Sequence, residues 1–194
     1  MQLTYSQKPD IAIAGLRSEG SKNEFIVSKI CASGATISPG VALVENADGT
    51  VQAAGSAGAR ATASAALKLA GVSLYKPTNI QGLVTADPTT QLSSTGVVYV
   101  AGDEVPVMRN GRVWVNFVGT ARGDLATANV VQASSGGASA AQDGFFTDAA
   151  TSAGTGTEVA GTNCLFIGDT ASGGTVPSSL TAGVGLALIE VHTP

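Results

Sequence analysis

The sequence predicts an all-β fold, an antiparallel sandwich or barrel-like domain with an extended N-terminal arm, and three observations carry that expectation. Apolar stretches are short and rich in Val and Ile, turn residues bound them at sandwich-like or barrel-like intervals, and helical periodicity is scarce. The 194 residues suffice for one core of substantial size. Neither a repeat of fixed period nor a long charged linker divides the chain. The expected organisation is residues 1–30 as an arm or first strands and residues 31–194 as the β-domain, with a Gly/Ser/Ala-rich loop elaboration at about 132–161.

The opening segment from Tyr5 to Leu16 is too short and too interrupted by glycine to form a core of its own. It reads equally as an arm that adds a strand to a neighbour's sheet edge and as the first strand of its own sheet. Pro39-Gly40 makes a turn. Val41–Glu45 and Thr50–Ala53 then flank Asn46-Ala47-Asp48-Gly49 as a hairpin, with Gly49 taking the positive φ. Ala59–Ala70 fits both helix and strand, and its alternation with Thr62, Ser64 and Lys68 tips it to strand or mixed. Gly71–Pro77 alternates and stops at proline, as a strand does.

Further on, a ribbon at Gly96–Val100, a turn at Ala101–Glu104 and two apolar runs flanking Asn110-Gly111 predict a three-strand meander. Asn-Gly between such runs is the strongest short-range hairpin signal, because both residues tolerate a type I′ turn. By the two-residue period Val113, Val115 and Phe117 share one face, while Trp114, Asn116 and Val118 share the other. Pro106 favours an edge or bulge, since it donates nothing to a ladder. Gln132–Gly161 reads as long loops with one or two short strands around Phe145-Phe146. Order returns at Cys164–Gly168, and Gly183–Val191 is a terminal strand docked in the core sheet.

Charged residues make up 12% of the chain, about half the roughly 25% usual in soluble domains, and Ser, Thr, Ala and Gly replace them. Net charge is −4 and the basic residues are scattered, so no stripe is available to track phosphates and direct nucleic-acid binding is not expected. The most apolar window, Val184–Val191, is short and carries Glu190, so no membrane span is expected. The first ten residues lack the pattern of a secretory signal, which implies a protein that stays in the cell that makes it. In that reducing setting Cys31 and Cys164 read as two separate buried thiols rather than a disulfide.

Reactive groups are few. The one histidine, His192, reads as a surface or strand-end residue. No nucleophile elbow, phosphate loop, dinucleotide fingerprint or calcium loop occurs, and three Cys and His residues, widely separated, do not make a zinc site. No metal or cofactor is expected. Asp103-Glu104 is the closest pair of acids in the chain for the two-carboxylate chemistry of a glycosidase. Adjacent strand residues point to opposite faces, and a turn or an ion pair with Arg109 or Arg112 explains the pair better. Trp114 is alone of its kind and reads as a core or interface anchor rather than a sugar platform. A β-rich surface of small, uncharged residues packs against protein neighbours with little desolvation of charge, which suits a repeated structural subunit as well as an ordinary β-domain.

Tyr5-Ser6-Gln7-Lys8-Pro9-Asp10-Ile11-Ala12-Ile13-Ala14-Gly15-Leu16, then Ser18-Glu19-Gly20-Ser21-Lys22-Asn23 and Ile37-Ser38-Pro39-Gly40-Val41-Ala42-Leu43, resemble the structural cement, or head decoration, proteins of tailed bacteriophages. Those chains open with a Pro-x-x-Ala-x-Ala-Gly-like segment and reach a Pro-Gly before their first hairpin. Tyr99–Val107 followed by Gly111-Arg112-Val113-Trp114-Val115 is similar to the same family's central hairpin, and together these stretches cover roughly a third of the chain. The resemblance implies a non-enzymatic virion protein, made in the host cytoplasm, that binds the outer surface of the assembled head. There it bridges neighbouring major capsid subunits and acts as a homo-oligomer, a dimer or trimer. Candidate interface residues are Tyr5, Pro9, Ile11, Ile13 and Leu16 in the arm. Arg109, Arg112 and Trp114 join them by residue type, with core packing for Trp114 and solvation for the arginines as the alternative. A host-facing adhesin or fibre domain is the rival reading, and a carbohydrate-active β-enzyme using Asp103 and Glu104 is the third.

Overall fold

The computed structural model describes residues 14–18, 23–55, 68–76, 98–118, 125–133, 143–147, 157–160, 162–167 and 184–193. Among them are twelve strands and no helix: β1 (Phe25–Ile30), β2 (Thr36–Ile37), β3 (Ala42–Glu45), β4 (Val51–Ala53), β5 (Gly71–Ser73), β6 (Tyr99–Val100), β7 (Glu104–Val118), β8 (Asn129–Ala133), β9 (Phe146–Thr147), β10 (Thr157–Ala160), β11 (Leu165–Phe166) and β12 (Val184–His192). Ten of them form one curled, mostly antiparallel sheet, a half-barrel, as the all-β expectation requires. Its main path runs β10-β8-β9-β7-β5-β3-β4, with β1 and β12 added along β7 and β11 beside β12. The pairing of β7 with β9 is parallel.

The 46–49 turn forms as the sequence predicts, because its own side chains build it. Thr50 donates its backbone N–H to Asp48 Oδ1 at 3.0 Å and its hydroxyl to the same oxygen at 2.6 Å, and Gly49 takes a φ of 82°. The strands it joins pair Leu43 with Ala53 and Glu45 with Val51. Likewise β12 docks where expected, pairing with β7 over nine residues from Val184↔Val118 to His192↔Asn110. Between residues 132 and 161 the described residues include β9 and β10 as short strands. The ambiguous stretch 59–67 lies outside the described residues, and 68–70 carry no regular element.

Asn110-Gly111 is not a hairpin. β7 runs straight through it as one strand of 15 residues, and the three-strand meander is absent. The physical reason is long-range partnering. β1 pairs along 104–110 and β12 along 110–118, meeting at Asn110, so backbone groups on both halves are satisfied without the chain folding back on itself. Asn110-Gly111 instead lies in register beside a bulge. Successive residues Phe25 and Ile26 of β1 face Asn110 and Met108, leaving Arg109 as the extra residue, and Gly111 has a φ of 132°. β6 meanwhile pairs with β2 in a separate two-stranded sheet.

The bulge also switches which core the odd-numbered residues of β7 enter. Val105 and Val107, before it, pack with Ile37, Leu43, Val51 and Tyr99, whereas Val113, Val115 and Phe117, after it, join Met108 in the cluster of Val130, Phe146, Phe166 and Ile189. Phe117 and Phe166 meet edge to face at 5.5 Å, an arrangement worth about 0.5 to 1.5 kcal/mol beyond the area it buries. Cys31 and Cys164 are both free and buried, and burial pushes both thiols up, with the Asp103 charge adding to the effect at Cys31.

Where β5 crosses β7 the backbones nearly touch: a Cβ on Gly71 would stand 2.3 Å from the Met108 carbonyl oxygen, at a φ of 144°. Gly71→Ala is therefore expected to cost about 3 kcal/mol. Gly34→Ala, at a φ of 73° with nothing within 4 Å, should cost only the left-handed strain of about 1 to 2 kcal/mol. Denaturant midpoints of the two variants decide this.

Tyr99 is completely buried, and its hydroxyl donates to the Leu74 carbonyl at 2.6 Å. Burial pushes its phenol from 10.0 up to about 12. The folded state thus favours the neutral phenol. This contribution is fully present below pH 10.0 and is lost as pH rises through about 12, a difference of about 2 to 3 kcal/mol. Comparing Tyr99→Phe with the parent by denaturation across that window should show a shallower alkaline loss in the variant.

Candidate functional site

Chain alternation on β7 sorts its second half into two faces. Val113, Val115 and Phe117 are buried in the core, so Arg112 and Trp114, both half-buried, lie on the face turned away from it. β12 continues that face. Leu188 is the cross-strand partner of Trp114 and Glu190 that of Arg112, and both are half-buried, whereas Ala187, Ile189 and Val191 are core. Arg112 Nε sits 3.1 Å from Glu190 Oε2, and His192 Nε2 lies 3.1 Å from Glu190 Oε1. The result is a surface with an apolar pair, Trp114 and Leu188, beside the polar side chains of Arg112, Glu190 and His192.

Of the arm residues, Tyr5, Pro9, Ile11 and Ile13 lie outside the described residues. Leu16 is described and half-buried. It belongs to a segment that pairs with the chain's own β7: Gly15 N–H donates to the Trp114 carbonyl at 2.7 Å, Trp114 N–H to the Leu16 carbonyl at 2.9 Å, and Ser18 N–H to the Arg112 carbonyl at 3.0 Å. Leu16, Arg112 and Trp114 are thereby brought together. Arg109, the bulge residue, turns elsewhere. Its Nε donates to the Ala70 carbonyl at 3.2 Å, and its own carbonyl accepts from the backbone and hydroxyl of Thr193.

Asp103 and Glu104 do not converge. Asp103 Oδ2 accepts from the Val100 N–H at 2.9 Å and closes the turn before β7. Glu104 is exposed and lies 3.6 Å from Lys76, not near Arg109 or Arg112 as the sequence suggested. The Ser28 hydroxyl and then Lys76 hold its carboxyl below the usual range. Among the described residues no three metal-ligating side chains cluster.

Two features escaped the sequence reading. Leu188 and Glu190 join the Trp114 surface through the β7–β12 register, which no local pattern encodes. On β1, Phe25, Ile26 and Ile30 are exposed at 55%, 37% and 47%. The signal was present in Phe25-Ile26-Val27-Ser28-Lys29-Ile30, a strand with apolar residues on both faces and only one covered.

Among the described residues Glu24, Glu45, Asp48, Asp103, Glu104 and Glu190 are engaged in turns and ion pairs, while Phe25, Ile26 and Ile30 stand exposed. The comparison with known families adds an assignment. The chain belongs to the phage structural cement protein family, described as structural cement protein (E217 gp24/Pam3 gp6), whose model matches residues 1–181 of 194. No curated protein matches it. It is thus a bacteriophage structural protein of the virion, one that associates with capsid proteins.

The Arg112–Glu190 pair has side chains 39% and 29% exposed, so solvent screens it and its coupling should be below about 1 kcal/mol. A double-mutant cycle of Arg112→Ala and Glu190→Ala, read by denaturation, measures that coupling.

Proposed function

We propose that this protein binds the outer surface of an assembled phage head as a homo-oligomer and bridges neighbouring major capsid subunits, stabilising the mature shell without catalysing a reaction. The observation that carries the reading is the family match over nearly the whole chain. Its physical basis is multivalency. A small oligomer touching several capsid subunits gains effective concentration with each contact, so modest interfaces hold firmly. Selective binding to the mature lattice then stabilises that lattice by mass action. The Leu16, Arg112, Trp114 and Leu188 surface supports this, since Trp and Arg anchor interfaces disproportionately and the surrounding charge is already paired within the chain. Residues 1–13 are the proposed arm, reaching a neighbour's sheet edge from the point where Gly15 joins β7.

The test is co-sedimentation of the purified protein with mature undecorated heads, with immature shells as control. Saturable binding to mature heads alone is expected, and deletion of residues 1–13, which leaves the Gly15–Ser18 pairing in place, should abolish it while the β-domain stays folded. Absence of binding to heads would overturn the reading in favour of a host-facing role, and full binding by the truncated protein would remove the arm from it.

A further inference from the structure

Among the described residues β1 pairs with no strand other than β7, which leaves one edge whose hydrogen-bonding groups can be assigned residue by residue. In an antiparallel pair alternate residues turn their N–H and C=O toward the partner, and the others turn theirs away. Ser28 faces Pro106, which has no N–H and whose carbonyl accepts from Leu74 at 2.8 Å, so that carbonyl points away from β1. Cys31, at the odd-numbered phase, donates to the Asp103 carbonyl at 2.9 Å and accepts from the Gly102 N–H at 3.0 Å. Val27 and Lys29 therefore bond toward β7, and Ile26, Ser28 and Ile30 direct their backbone groups to the open side.

That edge has a defined end. Cys31 makes a parallel bridge to Val51, and Ala32 N–H donates to the Val51 carbonyl at 2.9 Å, so β4 closes the edge just past Ile30. The open groups are thus centred on Val27: both those of Ile26, both those of Ser28, and the N–H of Ile30. Natural edge strands are commonly blunted by proline, repeated charge or bulging away. β1 offers none of these on its open groups, and presents Phe25, Ile26 and Ile30 to solvent.

We infer that β1 pairs edge to edge with β1 of a second copy of this chain, antiparallel about a two-fold axis at Val27, continuing the sheet from one protomer into the next. The register follows from the open groups. With Val27 opposite the partner's Val27, Ile26 faces the partner's Ser28 and exchanges both backbone bonds with it, twice by symmetry, while Ile30 N–H meets the carbonyl of the partner's Glu24. Centring on Ser28 instead would pair Ser28 with the partner's Ser28 and Ile26 with its Ile30, and the open groups would then make four bonds where the Val27 register makes six. The Val27 register also lays the exposed ring of Phe25 along the stem of the partner's Lys29 and sets no like charges opposite one another. An isologous contact requires self-complementarity of this kind. The inference deepens the oligomeric part of the reading above and rests on it for nothing else.

Sedimentation equilibrium of the full chain tests it, with expectation of a concentration-dependent dimer. Ile26→Lys with Ser28→Lys places like charges directly across the axis and should weaken dimerisation by about tenfold or more. Ile26→Glu with Ser28→Lys places opposite charges across it and should restore the dimer, which also guards against misfolding as the cause of the first result. Val27→Cys should give a disulfide-linked dimer on mild oxidation, because directly opposed non-hydrogen-bonded residues lie at a bridgeable distance. A monomeric parent, or an undiminished dimer in the Lys/Lys variant, would overturn the inference. A dimer with these responses that binds no phage heads would support it while overturning the capsid reading.

Discussion

The structure depends on one constraint, the need of a 15-residue strand to satisfy its backbone along its whole length. β7 meets it by borrowing from distant parts of the chain: β1 along its first half, β12 along its second, β5 near Met108, β9 at Phe117 and the Gly15–Ser18 segment beside Trp114. Both core clusters draw on that strand, Met108, Val113, Val115 and Phe117 for one and Val105 and Val107 for the other, and the half-buried face of Arg112 and Trp114 exists because the bulge at Arg109 shifts the alternation.

How much of this was legible in the sequence follows from the range of the interactions involved. The 46–49 turn was readable because Asp48 and Thr50 bond within it, and β12 was readable because a long apolar run at that position has to be covered. Asn110-Gly111 carried the strongest local turn signal in the chain and was misread, because local preference worth about a kilocalorie yields to a ladder of pairings reaching residues 25 and 192. Of the dipeptide only Gly111 takes a positive φ, and it does so within the strand, two residues past the bulge at Arg109. At the candidate surface the residue types Arg112 and Trp114 were legible, while their neighbours Leu188 and Glu190 were not, since a register 74 to 78 positions away leaves no trace in a local window.

Charged residues are 12% of the chain, and several of those near β1 and β7 meet an opposite charge. Lys29 pairs with Glu45 at 2.7 Å, Arg17 with Glu24 at 3.0 Å, Lys76 with Glu104 and Arg112 with Glu190. Such pairs contribute little to stability. Their effect is on the surface potential, because each pair largely cancels its own field over the distance at which salt screens the remainder.

The meeting of β1 and β12 at Asn110 has a consequence for how the polypeptide reaches its native state. The second half of β7 obtains its longest partner only when residues 184–192 have been synthesised, some 70 positions after β7 itself. Until then the nascent chain carries a Val-rich strand without that partner, and closing so distant a contact is slow by the general relation between contact order and folding rate. Completion of the sheet therefore waits on the synthesis of residues 184–192. The interval before it is when the chain is most exposed to mispairing with its own siblings.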